Sequence, residues 1–372
     1  MIFSMVASSC TGGESSFLTN PRGSRGEPSY AWITVTHVCR YWRETAFAFP
    51  ILWTDIDTSC TLASLAFLDR AGQSPLRVHL RDAITLSRVK PSLEHGRLLQ
   101  TIAAHAQQFQ ELHIQPTFRY GPAILRYLDT PAPQLEALSI ALGVSQDQDK
   151  TLPLLFAGQT PRLSRLTLFN FAKWPECWPL GESLTHLCLY AQHIRARLPM
   201  SDFLTLLAGC TRLEELIVVE AGPSPVQVQP TGPTTDLSSH SPSVLLDMPR
   251  LRLLHIGNWS SVRLISQFLD HLIIPHTAKV EIWADVLFHG LETLSSLLPR
   301  DISNLHPLHN LKAVHLMYRP TLRDAPQLFS VSNGVLVIHF YFIANTSGEL
   351  LASVFALLDT RFVEEQIGRA HV

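Results

Sequence analysis

Short apolar-x-apolar cores recur along the chain from Ser74 onward. They are Val78/Leu80, Leu112/Ile114, Leu138/Ile140, Leu166/Leu168, Leu187/Leu189, Leu216/Val218, Leu254/Ile256, Val280/Ile282, Val314/Leu316 and Leu336/Ile338. Alternation over four to six residues is the pattern of a strand with one buried face. Between the cores lie stretches of helical period, "LASLAFLDRA", "LEHGRLLQTIAAHA", "SDFLTLLAG" and "SVRLISQFLDHL". A strand followed by a helix, repeated in one direction, predicts parallel strands with helices packed outside them. The apolar run Val335–Ala344, "VLVIHFYFIA", is too short to span a bilayer as a helix and reads as a buried strand.

Several cores carry the fuller form Leu-x-x-Leu-x-Leu, as in "PQLEALSI" and "PRLSRLTL", and first members of successive cores stand 21 to 38 residues apart. That spacing is the mark of an irregular leucine-rich-repeat solenoid, an α/β fold. Its longest gap contains "AGPSPVQVQPTGPTTDLSSHSPS", whose Pro, Ser, Thr and Gly content predicts a flexible insert over residues 221–243. The pattern "GELLASVFALLDTRF" predicts a helix capping the far end.

Residues 1–59 differ in kind. Ile2, Phe3 and Val6 share one face of a short predicted helix, and "GGESSFLTNPRGSRGEPSY" is a polar loop. Val35, Val38, Cys39, Trp42 and Ala46 fall at i, i+3, i+4, i+7 and i+11, the stripe of an amphipathic helix that Pro50 ends. The stretch "VTHVCRYWRETAFAFPILWTDI" resembles the second half of the F-box-like domain common in fungal proteins: Val38-Cys39-Arg40-x-Trp42-Arg43, then Pro50-x-Leu52-Trp53. "FSMVAS" resembles the end of the first F-box helix, so the N-terminus is expected to lie inside a partial module. The resemblance implies a small helical module, residues 1–59, that docks on the Skp-family adaptor of a cullin-RING ubiquitin ligase. A repeat domain, residues 60–366, would then hold a protein substrate, and residues 367–372, "IGRAHV", read as a non-native tail. The residues it implies for adaptor binding are Ile2, Phe3, Val35, Val38, Cys39, Trp42, Phe47, Leu52 and Trp53. Trp42 and Trp53 have a structural alternative, packing the module onto the first repeat.

In a leucine-rich repeat the residues between and just after the strand leucines share the opposite face. That places His113, Gln115, Phe169, Tyr190, His255, Trp283, His315 and Met317 together as the candidate substrate surface.

Composition narrows the function classes. Hydrophobic residues make up 46% and charged ones 16% of 372 residues, the composition of a folded chain with a large core. Lys and Arg total 29 against 31 Asp and Glu, so no net basic field draws nucleic acid. Six cysteines without a Cys-x-x-Cys pair read as reduced thiols of an intracellular protein, cytoplasmic or nuclear, and no basic residue precedes the first apolar run as in a secretory signal. His186, Cys188 and His193 lie close in sequence but lack a second cluster at zinc spacing. Gly72-Gln73-Ser74 and Gly181-Glu182-Ser183 lack the following glycine of a nucleophile elbow, and no glycine-rich phosphate loop occurs. The expectation is therefore a non-catalytic receptor without cofactor, metal, nucleic acid or membrane partner. The alternative is an interaction scaffold with no ubiquitin role.

Overall fold

The computed structural model describes residues 30–81, 93–115, 125–142, 152–171, 181–224, 245–259, 261–284, 297–299, 301–309, 311–318 and 327–340. The helix expected near Ile2 and Phe3, most of the 221–243 insert and the expected C-terminal capping helix lie outside these residues. The chain is α/β and forms two compact units, residues 1–196 and 197–372.

The first unit begins with a 3-10 turn, Tyr30–His37, then helix α1 (Arg40–Phe47), a second 3-10 turn (Pro50–Trp53) and strand β1 (Asp55–Asp57). Helix α2 (Thr61–Ala71), strand β2 (Leu76–Leu80), helix α3 (Leu93–Ala104) and strands β3 (Phe109–Ile114), β4 (Ala137–Ala141), β5 (Arg165–Phe169) and β6 (His186–Tyr190) follow. All six strands pair in sequence order and in parallel. The register puts Ile56, Val78, Leu112, Leu138, Leu166 and Leu187 in one row and Leu80, Ile114, Ile140, Leu168 and Leu189 in the next. Both rows are buried. Burying these branched side chains contributes roughly 1.5–3 kcal/mol each.

The Leu-x-x-Leu-x-Leu form has a local cause. Before β4, β5 and β6 the amides of Leu135, Leu163 and Leu184 donate to the carbonyls three residues back, at Ala132, Thr160 and Gly181, each at 3.1 Å. The first leucine of each motif is thus the last residue of a turn that aims the chain into the strand, and its side chain seals the turn from water. Leu213 and Leu251 repeat the bond, also at 3.1 Å, before the first two long strands of the second unit. The exit repeats as well. The residue after β5 is Asn170 and that after β6 is Ala191, with φ of 53° and 51°. Asparagine tolerates that left-handed turn; alanine does so at a cost.

The second unit holds helix α4 (Met200–Ala208), strands β7 (Glu215–Val219), β8 (Leu246–Asp247) and β9 (Leu253–Gly257), and helix α5 (Val262–Asp270). Strands β10 (Leu272–Ile273), β11 (Lys279–Ala284), β12 (Ala313–Tyr318), β13 (Gln327–Ser332) and β14 (Val335–Phe340) complete it. Its main strands run β7-β9-β11-β13-β14-β12, with β8 and β10 a separate short pair. Here the expectation of uniformly parallel strands is corrected: β13 is antiparallel to both β11 and β14. Asn333 and Gly334 link β13 to β14 with φ of 51° and 77°, the pair of left-handed residues that closes a two-residue hairpin. The hairpin inserts between β11 and β12, moving β12 to the end of the order, parallel to β14.

The start of the expected insert also differs. Ala221, Gly222 and Pro223 are buried, and a Cβ on Gly222 (φ 101°) would lie 2.6 Å from the Trp259 ring. Across the expected division at residue 59, β1 pairs with β2, and Trp53 packs on Phe67 of α2.

Candidate protein-docking surfaces

The N-terminal elements form around three aromatic rings. Pro50 forces Phe49 into an extended conformation (φ −110°, ψ 91°), and the tight turn that follows directs Leu52 and Trp53 inward. Trp53 meets Trp32 at 4.9 Å and Phe67 at 5.0 Å between ring centroids, both edge-to-face. Its indole N–H donates to the Ala46 carbonyl at 2.9 Å, and the Arg70 guanidinium covers its ring at 4.5 Å and that of Phe47 at 4.6 Å.

Two of the residues expected at an adaptor surface are therefore core. Trp53 is 1% exposed and Leu52 is buried, because the turn after Pro50 points both at α2. The expected continuous helical stripe is corrected too. Cys39 is extended (φ −158°, ψ 171°) and caps α1, so the 3-10 turn before it and the α-helix after it fall out of phase. Of the stripe only Ala46 is buried. Val35 is half-buried and Cys39 exposed, while Ile2 and Phe3 lie outside the described residues.

What this arrangement leaves outside is apolar. Val38 is 63% exposed, Tyr41 73%, Trp42 36% and Ile51 69%, and Phe47 and Phe49 are exposed as well. Leu62 and Leu65, one turn apart on α2, are also turned outward. Scattered exposed apolar residues are ordinary, but six large ones between Val38 and Ile51, braced from behind by a rigid aromatic core, make a surface suited to protein contact. Tyr41, Phe49 and Ile51 escaped the sequence reading because an apolar residue facing out is written with the same letters as one facing in.

The second candidate is the face opposite the leucines. In the first unit its rows are Arg77, Glu111, Ala137, Arg165 and His186, then His79, His113, Ser139, Thr167 and Cys188, then Ala141, Phe169 and Tyr190. The sequence-predicted His113, Phe169 and Tyr190 lie on this face, and Gln115 follows β3 in the same alternation. Two corrections apply: His113 and Tyr190 are buried, so neither offers a free side chain. His113 lies under its neighbours, stacked on His79 at 4.9 Å and bonded to Glu111 at 3.2 Å.

Charges on this face pair with one another. Arg77 bonds Asp55 at 2.8 and 2.9 Å, Arg165 bonds Glu111 at 3.0 Å, and Arg81 pairs with Asp57. The hydrogen bond with His113, helped by Arg165 and Arg77, holds the Glu111 carboxyl down at about 2. Burial, then the neighbouring His113, pushes His79 down to about 3, so it is neutral at physiological pH. Three carboxylates against three guanidinium groups leave no net field; these pairs fix geometry and do not attract a charged partner.

The second unit's matching face carries His255 and Trp283 in adjoining rows, with His315 in the row of His255 and Met317 in the row of Trp283. His255 and Trp283 are half-buried and His315 is exposed. Trp283 lies flat over Gly257, where a Cβ would stand 2.6 Å from the ring. Its indole N–H donates to His255 Nε2 at 2.6 Å. An indole nitrogen only donates, so Nε2 accepts, which leaves Nδ1 as the nitrogen that donates to Glu281 Oε2 at 3.0 Å. That bond, with Lys279 at 2.6 Å, holds Glu281 down at about 2.

No family model, curated protein or solved structure matches the chain. Among the described residues no helix is long and apolar enough to cross a membrane.

Proposed function

We propose that the chain is a non-catalytic substrate receptor, an F-box-like helical module joined to an irregular leucine-rich-repeat domain. The module docks on the Skp adaptor of a cullin-RING ubiquitin ligase, and the repeat face holds a protein substrate. The observation that carries this reading is the exposed apolar surface of Val38, Tyr41, Trp42, Phe47, Phe49 and Ile51 on the segment bearing the F-box-like motif. Aromatic anchors on a braced helix fit pockets of a partner, each central anchor worth about 2 kcal/mol. The recurring turn before each leucine motif and the mostly parallel strands support the repeat reading. In the first unit the repeat-face side chains that remain accessible are Gln115 and Phe169, in the second they are His255, Trp283 and His315, and these are the proposed substrate contacts. The test is co-purification with the Skp adaptor. Recovery of the complex supports the reading, and its absence with the folded chain refutes it.

A second reading has its own observation. Trp32, Trp53 and Phe67 join the module to helix α2, which suits an N-terminal cap of an interaction scaffold without a ubiquitin role. Unfolding on deletion of residues 1–59, with no adaptor binding by the intact chain, would favour it.

A further inference from the structure

The chain carries 24 arginines and only five lysines, at positions 90, 150, 173, 279 and 312, so none precedes residue 90. Lysine is ordinarily among the commonest residues. Arginine is selected over lysine where its planar fork is used, as in Arg77 on Asp55, Arg81 on Asp57 and Arg165 on Glu111. That reason fails at Arg97, Arg126, Arg162, Arg212 and Arg263. These are exposed, and among the described residues their guanidinium groups make no ion pair or hydrogen bond. Geometry does not distinguish the two cations at such positions. Reactivity does.

We infer that this chain is built to resist ubiquitin transfer onto itself, its surface charge being carried by a cation that cannot accept ubiquitin. The inference rests on the receptor reading above. In transfer, a deprotonated lysine ε-amine attacks the thioester carbonyl joining the ubiquitin C-terminus to the conjugating enzyme's cysteine. A C–N isopeptide bond forms, the C–S bond breaks, the cysteine leaves as thiolate and the amine's surplus proton passes to solvent. A guanidinium stays protonated near neutrality and its nitrogen lone pairs are delocalised, so it does not react. A receptor tethered in the ligase faces the charged enzyme at the high effective concentration that tethering confers, and any ε-amine in reach competes with the substrate's own. Of the lysines, Lys279 is held in an ion pair with Glu281 at 2.6 Å, which draws on the same amine.

The test reconstitutes the full chain with the Skp adaptor, the cullin-RING ligase and ubiquitin-charged conjugating enzyme. It compares the chain with a variant carrying Arg97→Lys, Arg126→Lys, Arg162→Lys, Arg212→Lys and Arg263→Lys. Charge is unchanged and none of the five lies on the docking surface. The variant raises the ε-amines from five to ten, and conjugation to the receptor is expected to rise at least about two-fold, with mass spectrometry locating ubiquitin on the new lysines. Equal conjugation, with both proteins recovered in the complex, overturns this inference and leaves the receptor reading standing. Failure of both to enter the complex overturns the receptor reading and this inference with it. The single variant Arg162→Lys serves if the five-fold variant does not fold: modified Lys at that position supports the inference and an unmodified one overturns it.

Discussion

Replacing Trp53 separates its structural role from that of the surface around it. Trp53→Ala removes an indole that is 1% exposed and in edge-to-face contact with Trp32 and Phe67. Truncating a buried Phe or Trp to Ala costs about 3–5 kcal/mol, the ring contacts included. Losing the bond to the Ala46 carbonyl adds about 1 kcal/mol. The Arg70 guanidinium also loses one of the two rings it covers. We expect about 4–6 kcal/mol of destabilisation of the first unit. Tyr41→Ala, at a side chain 73% exposed, should cost no more than about 0.5 kcal/mol. Seven tryptophans make fluorescence hard to assign, so urea unfolding followed by far-ultraviolet circular dichroism is the assay. Trp53→Phe keeps ring packing but loses the indole N–H, and should fall between the two. A loss below about 1.5 kcal/mol for Trp53→Ala would refute the packing argument, because a Trp on a surface costs that little.

Gly257→Ala places a methyl against the Trp283 ring and should cost about 1–3 kcal/mol while altering the near-ultraviolet dichroism of that indole; an unchanged spectrum and midpoint would contradict it. Ala191→Gly relieves a left-handed alanine and should raise the urea midpoint by about 1 kcal/mol equivalent, where a fall would show the strain is not felt. His79 is held near 3 in the fold, below its unfolded value near 6.5, so the unfolded chain binds the extra proton as pH falls. Stability should then drop by about 1.4 kcal/mol per pH unit below pH 6.5, with Glu111 adding a further loss between about 4.5 and about 2. Unfolding free energies at pH 7, 5.5 and 4.5 test this: His79→Phe should flatten the upper part of the slope, and an equal slope in both proteins would rule the histidine out.

The strands were legible because their leucines alternate with the pleat, and one row of apolar residues admits one register. The same alternation placed His255, Trp283, His315 and Met317 opposite the leucines, as the pairing shows. The hairpin was written in "SVSNGVLV", since Asn-Gly between apolar runs is the strongest short hairpin signal. Leu336/Ile338 fits the repeat alternation equally well, and strand direction leaves no trace in a two-residue period. The break at Cys39 was hidden for a related reason: a helical stripe assumes one helix type, and Tyr30–His37 is wound more tightly than α1. Burial of His113 came from contacts with His79 and Glu111, the first of which lies on a different strand.

Calorimetric titration of the chain with purified Skp adaptor, before and after Tyr41→Ala and Trp42→Ala together, tests the central claim most directly. The account predicts binding by the parent chain and a loss of at least about thirty-fold in the double variant, the effect of one or more anchors near 2 kcal/mol, with the circular dichroism spectrum unchanged. Equal affinity in both proteins, or no heat from either, would contradict it.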